Sequence, residues 1–515
     1  MTRTIRATVA AAGVAASLAL SGCAESGAGM AGSSTLNIAT LTFPQSLDPA
    51  QAVGSALPFF QATYDTLVKR EPDGSFTPML ATAWKYNGDR TELSLTLRDD
   101  VKFADGTAFD AAAVKANMER FKKGGGADAK WLNDLKSVKA TDATHVTLDL
   151  AQPNPAMLFY LSDAAGLMAN PAKFAQADAL KTTPDGTGPY RLARNKTTIG
   201  TKWVYERNAD YWGDQLPYKS VTISFFDNET AIVNGLRTGQ VNAALLQNAD
   251  QQISAESDPR LKATKQEFDF QGLLLFDRAG QLTPALKDAR VRQALNHAID
   301  RESMLGAIRQ GRGQITGQVF GPDAKGYDKK LDTYYSHDPA KAKALLREAG
   351  YAKGFTLKLP RIAAIVNDAL ATSLATDLKA IGVTLVWDDL DGGSAIQKVF
   401  KDRAYSGMVM NMGQSSSDWV VVNELVTPGA FNMFGTTDPT VQKLIPQIQT
   451  GTDQAAQGAA RTLNQHLVTE GWFVPFYRMT YLHVSDGTVT ISPQSGMAVP
   501  SIYNYPPGHG YRVPC

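Results

Sequence analysis

Few residues in this 515-residue chain have a type and spacing that could do chemistry. There are two cysteines, Cys23 and Cys515, and six scattered histidines. No H-E-x-x-H pair sets two imidazoles on one helix face, and no Cys–His pairing is present. His483 is the one histidine weighed as a metal candidate. Gly413-x-Ser415-x-Ser417 lacks the second glycine of a nucleophile elbow. "WDDLDGG" (387–393) looks like a calcium loop, but its register puts Trp387 at the first ligand position and Lys398 at the twelfth, where an acid is required. Gly27-x-Gly29-x-x-Gly32 has the spelling of a dinucleotide fingerprint without the preceding strand that gives it meaning. These residues do not read as an enzyme's, and no cofactor is expected.

What remains is attachment. Arg3 and Arg6 precede Ala7–Leu20, an almost wholly small and apolar run of 14 residues. That is shorter than the ~20 residues a permanent membrane helix needs, and it follows the pattern of an export signal. Leu20-Ser21-Gly22-Cys23 resembles the bacterial lipobox at all four positions. The resemblance implies cleavage before Cys23, a diacylglyceryl group on its thiol and acylation of the new N-terminus. Two or more acyl chains anchor stably where one does not. Residues 1–22 are thus expected to be a signal peptide and 23–35 a lipidated, flexible tether. The protein is expected at the extracytoplasmic face of a bacterial membrane, held by lipid alone. Cys515 is then left without an intramolecular partner.

Loss of Arg3 and Arg6 moves the formal charge from +1 to −1. A near-neutral chain without basic runs does not suit nucleic acid. About 490 residues remain, enough for roughly three domain-sized units. "LNIAT" (36–40) reads as a strand and Leu57–Val68 as a helix. "ELSLTLRDDVKF" (92–103) reads as a β-ribbon, Ala111–Phe121 as a helix, and "HVTLDL" (145–150) as a strand. Three more strands are expected between 187 and 226, and a buried strand at "FQGLLLF" (270–276). From Asp288 the rhythm becomes helix–strand alternation, which predicts a largely parallel sheet. The fold class is therefore α/β with two lobes: 36–69, 191–280 and 484–515 in the first, 281–483 in the second, and a β-rich insertion at 70–190. Two crossings between lobes make a hinge, and the cleft between them is the natural ligand site.

Several stretches resemble one family, the extracytoplasmic solute-binding proteins of peptide/nickel ABC transporters (family 5, dipeptide- and oligopeptide-binding type). They include "YDTLVKREPDGSFTPMLATAW" (64–84), "LTLRDDVKFADGTAFDAAAVKANMER" (95–120), "TGPYRL" (187–192), "NADYWGDQLPYKSV" (208–221), "DARVRQALNHAIDRESML" (288–305) and "VPFYR" (474–478). The resemblance implies a three-domain periplasmic-binding-protein fold whose cleft closes on ligand. It also implies a membrane permease with separate ATPase subunits, since no P-loop is present, and a monomer. In peptide-binding members an acid in a Gly- and Trp-containing loop pairs with the peptide amine. Here that loop is "MNMGQSSSDWVVVN" (410–423), which points to Asp418, with Trp419 as a wall and Ser417 beside it. Gln414 stands where the family's Trp is usual, and Asp418 is displaced by about one position. Arg361 is the candidate for a ligand carboxylate, and Asn432 and Phe434 of "FNMFG" for backbone and apolar groups. The ligand is expected to be a di- to oligopeptide; a metal–chelator complex, an opine or a sugar derivative are the alternatives, and a lipoprotein hydrolase is a further one. Cys23→Ala is expected to release the protein from the membrane fraction, read by immunoblot of fractionated cells; retention in the membrane contradicts the lipobox reading.

Overall fold

The computed structural model describes residues 30–31 and 34–512. Cys23, Cys515 and the signal segment lie outside the described residues. The central sheet contains Thr35–Thr40 (β1), Tyr190–Leu192 (β2), Lys202–Arg207 (β3), Ser220–Phe225 (β4), Ala243–Leu246 (β5), Lys262–Leu275 (β6), Gly313–Ile315 (β7), Gly407–Gly413 (β8) and Phe473–Ser485 (β9). Its order is β8-β6-β9-β5-β1-β4-β3-β2, with β7 paired to the middle of β9, at residues 477–479. β6 and β9, 14 and 13 residues long, run antiparallel through both halves of the molecule. Their 262–267 and 480–485 ends pair with each other beside β5, and their other ends pair beside β8.

The junction falls at an irregularity. Glu267 pairs with Thr480 and Phe270 with Arg478, so Phe268 and Asp269 oppose Met479 alone. That is a β-bulge, which bends a strand and re-aims its side chains. Gly313 lies at φ +146° beside it, where a Cβ would sit 2.2 Å from the Arg478 carbonyl oxygen.

The insertion is a four-stranded antiparallel sheet ordered 81–86, 92–97, 145–150, 135–140. Leu93, Leu95 and Leu97 alternate inward, as a half-buried strand requires. The helix Ala111–Lys123 covers this sheet. Asp110 caps it by accepting from the Ala113 N–H, and Val114, Asn117, Met118 and Phe121 form its buried stripe. In the second half the helix Ala289–Ala298 buries Val291, Ala294, Leu295 and Ala298, the face the spacing predicts.

Two expectations are corrected. The helix predicted over 57–68 stops at Gln61. Tertiary partners take the chain beyond it: the Tyr64 hydroxyl donates to the Leu47 carbonyl at 3.1 Å and Asp65 is drawn into the interior. The sheet of the second half is mixed, not largely parallel. Thr356–Arg361 and Thr384–Asp389 form a parallel pair, but β8, β6 and β9 are antiparallel. The two through-going strands run in opposite directions, and helix–strand alternation in sequence does not reveal that.

Two buried polar networks hold these parts. Asp65 accepts from Thr187 Oγ1 (2.9 Å), Trp212 Nε1 (2.9 Å), Tyr211 Oη (3.1 Å) and Tyr503 Oη (2.9 Å). Burial nonetheless pushes its carboxyl from 3.8 up to about 6. Gly188 of the same "TGPYRL" stretch leaves room for the Thr63 backbone, which a Cβ would meet at 2.5 Å. The second network centres on Arg478, which is 0% exposed. Its guanidinium makes a two-pronged pair with Asp332, donates from Nε to Gln414 Oε1 (3.0 Å) and from Nη2 to Thr316 Oγ1 (3.1 Å). Asp332 also accepts from Gln318 Nε2 (2.8 Å) and Tyr327 Oη (2.6 Å). Breaking one side of a buried ion pair costs about 3–5 kcal/mol. Asp332→Ala is expected to lower stability by that amount in urea unfolding. Asp332→Leu combined with Arg478→Met should cost clearly less than the sum of the two single changes; strict additivity would contradict the coupling.

Candidate functional site

Three adjoining cavities, of about 360, 280 and 400 Å³, share lining residues; the first two lie against the second half, and the third is lined mainly by the first half. Trp131, Tyr160 and Glu424 border the first two; Ser55, Phe268 and Ala498 border the second and third. One wall is the insertion: Trp131 from the 3-10 turn Ala127–Leu132 stacks on Tyr160 from the helix Met157–Leu161, ring centres 4.9 Å apart at 19°. The facing wall is the end of β8 (Asn411, Met412, Gly413) and the helix Asp418–Leu425 (Val420, Glu424). The bulge residue Phe268 lines the second and third cavities, and its neighbour Asp269 lines the third.

Polar bonds cross the cleft. Lys130 pairs with Glu424 at 3.0 Å. Arg90 Nη2 donates to the Gly451 carbonyl at 3.0 Å, and Gln449 Nε2 to the Pro153 carbonyl at 3.1 Å. These few exposed or half-buried contacts are individually worth little, ~0–1 kcal/mol for an exposed ion pair.

The site is acidic. Asp128 accepts from the Gly54 N–H at 2.9 Å; burial, and then the neighbouring Asp163, push its carboxyl from 3.8 up to about 6. Asp163 pairs with buried Arg70 at 3.0 Å, and the Arg70 guanidinium lies 4.0 Å over the Phe159 ring. Asp269 accepts from the Tyr481 hydroxyl through one oxygen, while the other is buried without a partner. Burial pushes its carboxyl up to about 6 as well.

The residues singled out in sequence are dispersed. Asp418 heads its helix with its carboxylate turned onto the Gly326 N–H (2.8 Å), and burial pushes it up to about 6. Its helix neighbours Val420 and Glu424 line the cavities described above; Asp418 does not. Trp419 is buried at 3% exposure, its indole N–H unpaired. Ser417 is half-buried and its N–H donates to Ser415 Oγ (3.1 Å). Arg361 lines a separate groove with Trp387 and Lys379, pairs with Asp368 and Asp389, and donates from Nε to the Val366 carbonyl (3.0 Å). Asn432 is 0% exposed and pins its own loop, donating to the Val426 and Thr436 carbonyls at 2.8 Å. Phe434 packs on the main core, whereas Phe431 of the same stretch lines the first cavity. His483 lines the third cavity; its Nε2 donates to Gln266 Oε1 at 2.8 Å, and burial lowers it to about 4, so it is neutral. Among the described residues no group of three His, Cys, Asp or Glu is placed to hold a metal. Gln414, in the place of the family's Trp, is part of the Arg478 network.

Asp128, Trp131, Tyr160, Glu424 and Asp269 were not reached from sequence. The segment "GGGADAKWLND" offers only an acid three residues before an aromatic, a pattern too common to single out.

Residues 75–429 match the family model "Bacterial extracellular solute-binding proteins, family 5 Middle". The chain is similar to the nickel-binding periplasmic protein of Escherichia coli (strain K12), 29% identical over 358 residues, covering 63% of this chain and 66% of the relative. It is also similar to the probable D,D-dipeptide-binding periplasmic protein DdpA of the same strain, 29% identical over 317 residues, covering 58% and 60%. The matches thus span just under two thirds of these relatives' length. Among solved structures it resembles the binding protein AgaA in complex with agropinic acid from A. tumefaciens R10, with TM-score 0.75, 25% identity, and 92% and 99% coverage.

Burial of Asp128 has a readable cost. The fold binds more protons than the unfolded chain between about pH 4 and 6, so this group's contribution falls as pH rises through that window and stays unfavourable above it. Asp128→Asn, which keeps an acceptor for Gly54, is expected to be more stable than wild type at pH 7 by about 1 kcal/mol, with a smaller loss between pH 4 and 6. Equal urea midpoints at pH 7 would contradict it.

Proposed function

The chain belongs to the bacterial extracellular solute-binding proteins of family 5, and from that premise we propose that it captures a small solute between its two lobes and presents it to a membrane transporter. One observation carries the reading: the second cavity is lined from the first half, from residues 128–163 and from the second half, and it meets the third at Phe268, in the bulge where β6 and β9 bend. Ligand bound there touches both walls, so it favours the closed form by its differential affinity for that form. The bulge is the hinge, and the lobes divide along β6 and β9, with residues 70–190 as the inserted subdomain. Energy for transport comes from an ABC permease with separate ATPase subunits. A lipid on Cys23 holds the monomeric protein at the membrane; among the described residues no helix is long and apolar enough to cross one. The protein itself carries out no chemical step.

Relatives of this fold are named for binding nickel, a D,D-dipeptide and agropinic acid. Cavities of about 280–400 Å³ suit a dipeptide-sized solute better than a long peptide. The separation of Arg361 from the cleft favours a ligand other than a free zwitterionic peptide. Native mass spectrometry of the protein purified without refolding should show one added species of roughly 200–600 Da. Its loss on denaturation and dialysis should restore the apo mass. A ladder of longer peptides would contradict the size, and no retained or rebinding solute would contradict the function.

A further inference from the structure

We propose that the cleft selects a solute that carries a positively charged amine and no free carboxylate. The inference rests on the solute-binding reading above and concerns which chemistry that site accepts. Five carboxylates line the three cavities: Asp128, Asp134, Asp163, Asp269 and Glu424. The one lysine or arginine among the lining residues is Lys130, and it is taken up by Glu424 at 3.0 Å. Asp163 is matched by Arg70 from behind the wall. Asp134 is bonded by neutral amides, Gln152 Nε2 at 2.7 Å and Asn154 Nδ2 at 2.8 Å. Asp128 has the Gly54 N–H, and Lys130 nearby offsets it only in part. Asp269 has a tyrosine hydroxyl on one oxygen and nothing on the other.

A second observation, independent of the charges, shows that the site is built to receive a polar group. Tyr160 is 1% exposed and borders two of the cavities, and its hydroxyl has no partner at full hydrogen-bond geometry, only a weak approach from the Asn423 side chain. Buried polar atoms are ordinarily paired, so a hydroxyl without a full partner on a cavity wall marks a place for a ligand's polar atom. The Trp131–Tyr160 stack beside it offers aromatic faces, and aromatic faces attract an ammonium. A ligand ammonium there would meet carboxylates short of cations and gain charge-assisted hydrogen bonds. A ligand carboxylate would meet the same carboxylates with no free cation to pair it, and an unpaired buried charge is strongly unfavourable. Arg361 does not supply the missing cation, being engaged by Asp368 and Asp389 in a different groove.

Three matched probes on the full mature protein test this: Ala-Phe, Ala-Phe amide and N-acetyl-Ala-Phe, each titrated by calorimetry. The amide is expected to bind about tenfold or more tightly than the free acid, and the acetylated acid not at all. Asp128→Asn, checked for an intact fold by urea unfolding, should weaken the amide about tenfold and narrow the gap between amide and acid. Free acid binding as tightly as the amide, or an unchanged preference in Asp128→Asn, overturns the proposal and leaves solute binding intact. If none of the probes binds, native mass spectrometry after exposure to a small-molecule cell extract decides: a retained amine without a carboxyl supports the proposal, and a retained carboxylate overturns it. Retention of nothing overturns the solute-binding reading and this inference with it.

Discussion

A guanidinium without access to water sits at the centre of this molecule, and the arrangement around it sets the rest. Arg478 lies on β9 directly across from Phe270, at the edge of the bulge. A charge in that position is tolerable only if each guanidinium nitrogen donates and the counter-charge is itself satisfied. Asp332, Gln414, Thr316 and the partners of Asp332 meet that requirement. They also bind the loop around 316–332 and the start of the 414–418 segment to the through-going strand. The wall of the cleft carrying Met412, Ser415 and Val420 is therefore anchored at the place where the sheet bends. Closing motions can pivot there without loosening that wall.

The Asp65 cluster does the same for the first half. Its five members come from four separated stretches, "YDTL", "TGPY", "DYWG" and the segment near Tyr503. Tyr211 and Trp212 read in sequence as packing residues rather than ligand contacts. In the fold they donate to a buried carboxylate behind the ligand region. Most of the stretches that carry the family resemblance have this character: they hold the scaffold and leave the ligand open. That is consistent with relatives of one fold whose names cite nickel, a dipeptide and agropinic acid.

The cleft carries buried polar atoms without full partners, as does the Arg278 guanidinium elsewhere in the fold. In the cleft the Tyr160 hydroxyl and one oxygen of Asp269 lack full partners, and burial holds Asp128 and Asp269 well above the usual carboxylate range. Each of these lowers the stability of the empty protein. Such groups persist where a ligand completes them.

Period and capping made much of the secondary structure legible in the chain alone. Leu93, Leu95 and Leu97 alternate, the 289–298 helix keeps its apolar face, and Asp110 and Asp338 cap their helices, because these are local consequences of backbone geometry. The two-lobed class and the family were likewise readable from motif order. Local rules could not give the direction of the long strands, the early end of the helix at Gln61, or the membership of the site. Asp418 and Arg361 carry the right chemistry, yet one faces the Gly326 backbone and the other lies in a separate, ion-paired groove. Asp128 and Glu424, nearly three hundred residues apart, line one cavity from opposite walls. Sequence determines what each residue can do; which of them share one low-dielectric space is decided by long-range packing, and only there does a carboxylate become a site.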